Sequence, residues 1–239
     1  MTVDPERLDW FRGGEQYVLD AVADLSDDDL TGPSLLPEWT RAHVVGHLAR
    51  NADALRNLLA WARTGDPSPM YRSVEERADG IEATARLAPG PLRADLADAV
   101  ARLVLDVDAM PAEAWAGEVL TARGRPIPAS EVPWMRVRES WIHVVDLGAG
   151  ATFADQPPAL VDALLEEIAG WPSAASAQPP LVVSADDRGR SWTLGEGVDA
   201  VEVSGPAAEV LLWLSGRGDG RGLSTTDPSG RPPTPPAWL

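Results

Sequence analysis

Two hydrophobic textures meet near Gly148, and a single layer of packed helices cannot accommodate both. Upstream, apolar residues recur at the helical period; downstream they fall into short runs broken by proline and turn residues. Leu8, Phe11, Tyr17, Val18, Val22 and Leu25 predict an amphipathic helix over residues ~5–25. The run DDDLTGPSLLP interrupts it, with Pro33 and Pro37 marking a loop. Thr40 is then placed to cap a helix that starts at Arg41 and stops near Gly65. Further helices are expected over ~74–88, over ~92–109 after Pro89, Gly90 and Pro91, and over ~136–147. Between the last two, TARGRPIPASEVPWMR carries three prolines and reads as an extended or looped connection.

Beyond Gly148 come prolines 157, 158, 172, 179 and 180, then the β-like runs LVVSA, RSWTL and AVEVS. A closing helix is expected over ~206–215, and the tail DPSGRPPTPPAWL is too rich in proline for regular structure. The expected fold class is α+β: a helical domain over residues 1–150 and a smaller α/β domain over 151–239. A chain of 239 residues can bury a core in either unit without covalent staples. None is available, because the chain has no cysteine, which also removes thiolate metal ligands and a cysteine nucleophile.

The amino terminus MTVDPERLDWF has no basic and apolar leader, and no apolar run approaches the ~20 residues needed to span a bilayer. A cytoplasmic protein without a membrane role is expected. The formal net charge of −17 opposes binding to phosphate backbones, so nucleic acid is not an expected partner. No heptad run or apolar interface strip stands out, and a monomer is expected.

Only three histidines occur: His43 and His47 four residues apart, and His143 four residues after Glu139. Each pair lies on one face of its helix. Inward-facing His and Glu from separate helices are how bundle metal sites are built, and two His with one carboxylate leave coordination positions open for chemistry. The bland alternative is a surface Glu–His pair and a hydrogen-bonded core histidine. Spacing alone does not choose between His43 and His47, and it points to zinc without excluding another divalent metal. Arg50 and Asn51, one turn after His47, could face the same site or be a surface cation and its neighbour. Trp39, Trp61, Trp115, Trp134 and Trp141 fall beside apolar runs or helix starts, where packing is the ordinary explanation.

Four segments, in order and spacing, resemble the mycothiol-dependent maleylpyruvate isomerase family of the wider DinB-like group. They are PSLLPEWTRAHVVGHLARNADALRNLLAWARTG, PMYRS at 69–73, EVPWMRVRESWIHVVDLGAG at 131–150 and LLWLSGR at 211–217. The resemblance runs nearly end to end. It implies a DinB-like four-helix bundle in which His47, Glu139 and His143 hold a divalent metal, zinc by default, with His43 a supporting or helix-start contact. It implies a sterol-carrier-like α/β domain behind, whose closing helix ends in a catalytic arginine, here Arg217. Without the resemblance Arg217 would read as a solvated helix-end cation. Met70 and Tyr71, in the PMYRS segment, either line the site entrance or plug a loop.

The implied activity is cis–trans isomerisation of maleylpyruvate, with mycothiol as cosubstrate. Thiolate addition to a conjugated double bond leaves a single bond that can rotate before the thiolate is expelled. A chain without cysteine must take that thiol from outside, and a bound metal would lower its pKa. The substrate is a dianion, for which Arg217 is the expected carboxylate or enolate contact. Two other readings stay open: a mycothiol S-transferase acting on a different electrophile, and a non-catalytic binding or regulatory module with an empty metal site.

Overall fold

The computed structural model describes residues 3–238. The chain divides into two compact units, Met1–Gly150 and Ala151–Leu239. The first is helical. Helix α1 (Pro5–Ala23) has Asp4 accepting from the Glu6 amide at its start. Helix α2 (Asp27–Thr31) is short, α3 (Arg41–Thr64) long, and α4 (Val74–Ala85), α5 (Pro89–Asp108) and α6 (Val132–Asp146) complete the unit. Packing runs α1 on α6, α6 on α3, α3 on α5 and α5 back on α1, which closes a four-helix ring, with α4 laid against the outside of α3. The core is the shared apolar stripe of these helices. Val18, Leu48, Leu55, Leu59, Leu96, Leu103 and Val137 are fully buried, each burial of a large aliphatic side chain being worth roughly 1.5–3 kcal/mol.

The long helices lie where periodicity puts them, and the differences have local causes. α5 begins at Pro89 rather than after the prolines, and α6 begins four residues before Arg136 with Pro133 in its first turn. Proline is tolerated there, because a first-turn residue has no intrahelical N–H bond to lose. α2 forms inside the segment read as a loop, since Ser26 and Asp29 make a reciprocal capping box at its start. The proline-rich connection before α6 holds a small antiparallel hairpin, β1 (Glu118–Leu120) on β2 (Pro126–Pro128), with Val119 buried.

One contact in this unit has consequences for the site. A Cβ built on Gly46 would lie 3.1 Å from the Ile81 carbonyl oxygen and 3.2 Å from Thr84 Cβ. Glycine at this position lets the backbones of α3 and α4 approach closely, immediately beside His47.

The second unit opens with α7 (Pro158–Ala169), unforeseen because its flanking prolines read as a break, although Pro158 sits harmlessly at the first helical position. Its buried residues Leu160, Val161, Leu164, Leu165 and Ile168 follow a helical stripe. The sheet runs β4–β3–β5–β6, with β3 (Leu181–Ala185) antiparallel to β4 (Arg190–Leu194) and parallel to β5 (Val201–Gly205), and β5 antiparallel to β6 (Ser224–Thr225). On β3, Leu181, Val183 and Ala185 alternate inward. Helix α8 (Ala207–Leu214) packs on β3, β5 and α7, covering that face, and Asp187 Oδ1 accepts from the Ala207 amide at the helix start. The three strands and the closing helix expected downstream of Gly148 are all present, and the tail after β6 carries no helix or strand through Trp238. Among the described residues, no helix is long and apolar enough to cross a membrane.

Candidate metal centre

His47 projects from the second turn of α3, and Glu139 and His143 project one turn apart from α6. Their inner atoms converge. His47 Nε2 lies 2.9 Å from Glu139 Oε2 and 3.1 Å from His143 Nε2, and His143 Nε2 lies 3.2 Å from Glu139 Oε2. Two donors held tetrahedrally at ~2.1 Å from one ion sit roughly 3.4 Å apart, so this triangle has the dimensions of one face of a metal site. His47 is 4% exposed, while Glu139 and His143 are partly exposed, at 28% and 13% of their side chains. The group is therefore walled by protein on the His47 side and open on the other, as a site needs if it is to admit a ligand.

The donors are chemically suited to a cation. Burial opposes charge on Glu139 most strongly, yet hydrogen bonds from His143 and His47 outweigh it and hold the carboxyl well below its usual range. Burial is the chief reason that the His47 pKa is lowered, which favours the neutral, ligating imidazole. His143 differs: burial again works against its charge, but the bond to Asp146 and then the carboxylate of Glu139 raise its pKa.

The Asp146 contact orients the ring. Asp146, fully buried, accepts from His143 Nδ1 at 2.8 Å, so the lone pair of Nε2 is directed at the other two donors. With both rings protonated on Nδ1, two imidazoles and a carboxylate would direct lone pairs at one point, which is a good coordination set.

Behind the donors, the two ligand-bearing helices are tied together by a buried network around Arg136. Arg136, with no exposed surface, donates from Nε and Nη2 to the two oxygens of Glu15 on α1, at 2.7 and 3.0 Å. Its Nη1 donates to the Leu48 carbonyl and to Asn51 Oδ1 on α3, and Ser140 Oγ donates to Glu15. Arg136 precedes Glu139 by one turn, and Leu48 follows His47, so this network sets the register between the two halves of the donor set.

His43 lies apart from the donors. The Thr40 amide donates to its Nδ1 at the start of α3, and its Nε2 meets Glu82 on α4 at 3.0 Å, so it is a helix-start contact that also ties α3 to α4. Arg50 is drawn into pairs with Asp95 and Asp53, and Asn51 serves the Arg136 network, so neither joins the group. Trp39, assigned to packing by its sequence context, stands half-buried against the site, its ring 5.7 Å from that of His47. Met70 is a buried plug, whereas Tyr71 is half-buried with the Arg77 guanidinium 5.8 Å over its ring. Burial pushes the Tyr71 phenol up, so it is neutral near pH 7. Arg77 Nη2 in turn lies 3.3 Å from His47 Nδ1.

Sequence reasoning passed over Asp146 and Arg77 for different reasons. Asp146, three residues after His143 on the same helix face, was visible as an i, i+3 neighbour. Arg77 has no such signal, because its place depends on how α4 docks on α3.

In the second unit, Arg217 follows α8 directly. The Gly216 amide donates to the Trp213 carbonyl and the Arg217 amide to that of Leu212, with Gly216 at φ +77°, which is a Schellman turn. Glycine meets that left-handed backbone requirement at no steric cost. Arg217 is half-buried and donates from Nη1 to the Ser215 carbonyl at 2.8 Å.

Comparison with known families covers both units. The family model of the mycothiol maleylpyruvate isomerase N-terminal domain matches residues 11–148, and that of the MDMPI C-terminal domain matches residues 155–237. A solved mycothiol-dependent maleylpyruvate isomerase is 39% identical, with a TM-score of 0.91 over 100% of both chains. A histidine-to-alanine mutant of a mycothiol-dependent maleylpyruvate isomerase matches with the same identity, coverage and TM-score. YfiT from Bacillus subtilis, described as a probable metal-dependent hydrolase with an unusual four-helix bundle topology, is 19% identical, with a TM-score of 0.51 over 62% of this chain and 87% of its own. At that identity the likeness speaks for the bundle fold alone. No curated protein sequence matches significantly. With both units matched by their family models and a relative aligned from end to end, the chain belongs to the mycothiol maleylpyruvate isomerase family.

Proposed function

We propose that this chain isomerises maleylpyruvate to fumarylpyruvate in a mycothiol-dependent reaction, at a divalent metal held by His47, Glu139 and His143. The convergence of those three donors within 3.2 Å of one another carries the reading, in a chain alignable throughout with an isomerase of that description. A divalent ion in this site would supply Lewis acidity, lowering the pKa of a thiol bound beside it, and zinc suits the donor set. His47 closes the buried side of the site, Glu139 offsets the ionic charge, and Asp146 holds the His143 ring to its task. The thiol adds to the cis double bond, the resulting single bond rotates, and expulsion of the same thiol returns the trans isomer with no net change in atoms. The chain has no cysteine to provide that nucleophile internally, which supports an external thiol.

Arg217 is assigned a carboxylate of the substrate or the enolate formed on addition. Its planar fork suits that role, and the Schellman turn that fixes its backbone supports it. The enzyme is read as a cytoplasmic monomer acting on an anionic small molecule, with no nucleic-acid partner, in keeping with its net charge of −17.

The test is metal analysis of the purified protein, then maleylpyruvate turnover with and without mycothiol. Stoichiometric metal with thiol-dependent fumarylpyruvate is the expected result. Metal without isomerisation would turn the assignment towards transfer of the thiol to another electrophile, and absence of metal would remove the site.

Asp146→Ala is expected to weaken metal binding about 10–100-fold, the usual effect of removing a carboxylate that orients a ligating histidine. Competition with a chelator measures it, and Asp146→Asn, which keeps an acceptor at the same place, should lose less. Unchanged metal affinity in the alanine variant would show that the His143 ring needs no such partner.

A further inference from the structure

Arg77 differs from four arginines of α3, the end of α4 and the segment between them. Arg50, Arg56, Arg72 and Arg86 each lie within 4 Å of a carboxylate: Asp95, Asp106, Glu76 and Glu82 respectively. Arg77, half-buried on α4, forms no ion pair among the described residues, although the chain carries 37 acidic side chains against 20 basic ones. Its guanidinium lies over the neutral Tyr71 ring and reaches His47 Nδ1 at 3.3 Å. Withdrawing a cation from water without an anionic partner is costly, and so is tolerated best where a partner arrives from outside.

The contact with His47 is also one that ligation would dissolve. When Nε2 of a neutral imidazole gives its lone pair to an ion, the proton resides on Nδ1. An imidazole N–H cannot accept from a guanidinium N–H, so Arg77 is then left beside the metal centre with donors to spare. Tyr71 offers the guanidinium a flat face on which to rest, a cation–π seat that orients its fork. The fork geometry matches a carboxylate.

We infer that Arg77, seated on Tyr71, is the anion-recognition residue of the metal centre and binds a carboxylate group of the substrate. This rests on the metal-dependent reading given above and extends it, naming a substrate-binding residue in the helical unit itself. Any substrate of the site would then have to carry a carboxylate within reach of the metal.

Succinate, a dicarboxylate with no double bond for a thiol to attack, is the probe. Its binding to the purified metalloprotein would be measured by titration calorimetry for wild type, Arg77→Ala and Arg77→Lys, alongside metal content and melting temperature. The expected result is unchanged metal and melting temperature, succinate affinity about 10–100-fold weaker in the alanine variant, and partial recovery in the lysine variant. KM for maleylpyruvate should rise by a similar factor while kcat falls less. Equal succinate affinity in wild type and Arg77→Ala would overturn the inference, as would undetectable binding in wild type. Loss of metal in Arg77→Ala would overturn it too, by making Arg77 a support for His47. The two readings fail separately. Arg77-dependent succinate binding in a protein that does not isomerise maleylpyruvate would leave the anion site standing and remove the isomerase. Isomerisation with succinate binding indifferent to Arg77 would do the reverse.

Discussion

Replacing His47 by alanine is expected to empty the metal centre and lower thiol-dependent turnover by on the order of 10³-fold or more. His47 is the only donor contributed by α3 and the most buried of the three; Glu139 and His143 both come from α6 and cannot enclose an ion between them. A metal that polarises a reacting group contributes several kcal/mol to the transition state, and each 1.36 kcal/mol is a factor of ten in rate. Metal analysis and turnover on the same preparation check both parts, with circular dichroism to show that the helices remain. A Glu139→Gln variant, which keeps the shape of the side chain but not its charge, should bind metal more weakly than wild type. Full metal content and activity in His47→Ala would mean that the donor set is a hydrogen-bonded cluster and that the chemistry lies elsewhere.

The second large effect is on stability. Glu15→Ala is expected to destabilise the helical unit by about 3–5 kcal/mol, because it strands the guanidinium of Arg136 in the core without its anion. The double variant Glu15→Met with Arg136→Met should cost less than Glu15→Ala alone, since apolar side chains of similar length remove both charges and leave none unpaired. Urea unfolding followed by tryptophan fluorescence would measure the difference. The double variant should also loosen metal binding even where stability recovers, because Arg136 joins α6 to the Leu48 carbonyl and Asn51 of α3. A Glu15→Ala protein within 1 kcal/mol of wild type would show that water or a neighbouring group takes over the pairing.

Much of the architecture was legible because it rests on short-range rules. The 3.6-residue recurrence of apolar side chains located α1, α3, α4, α5 and α6, and short β-like runs separated by turn residues located β3, β4 and β5, since both signals are properties of the local chain. The elements that escaped were those whose local signals conflict. α7 and the starts of α5 and α6 lie at prolines that read as breaks yet occupy the one turn of a helix where proline does no harm. α2 is five residues long, too short for periodicity, and its capping box was the available sign.

At the candidate site the same boundary holds. Pairing of Glu139 with His143 follows from their separation on one helix, but nothing local brings His47 within 3 Å of Glu139, a contact across 92 residues. Family resemblance, rather than spacing, separated His47 from His43, and the structure supplies the physical distinction: His43 is spent on the Thr40 amide and Glu82. The amino-acid sequence by itself determined the helical and β-like textures, the i, i+4 ligand pair and the lack of an internal thiol, because each depends on composition or on residues within one or two turns. Only the tertiary structure decided that Arg136 would be buried against Glu15 and that Arg77 would stand beside His47 without a carboxylate. Both depend on how separate helices dock, where glycine at position 46 and the fit of distant side chains set the distances.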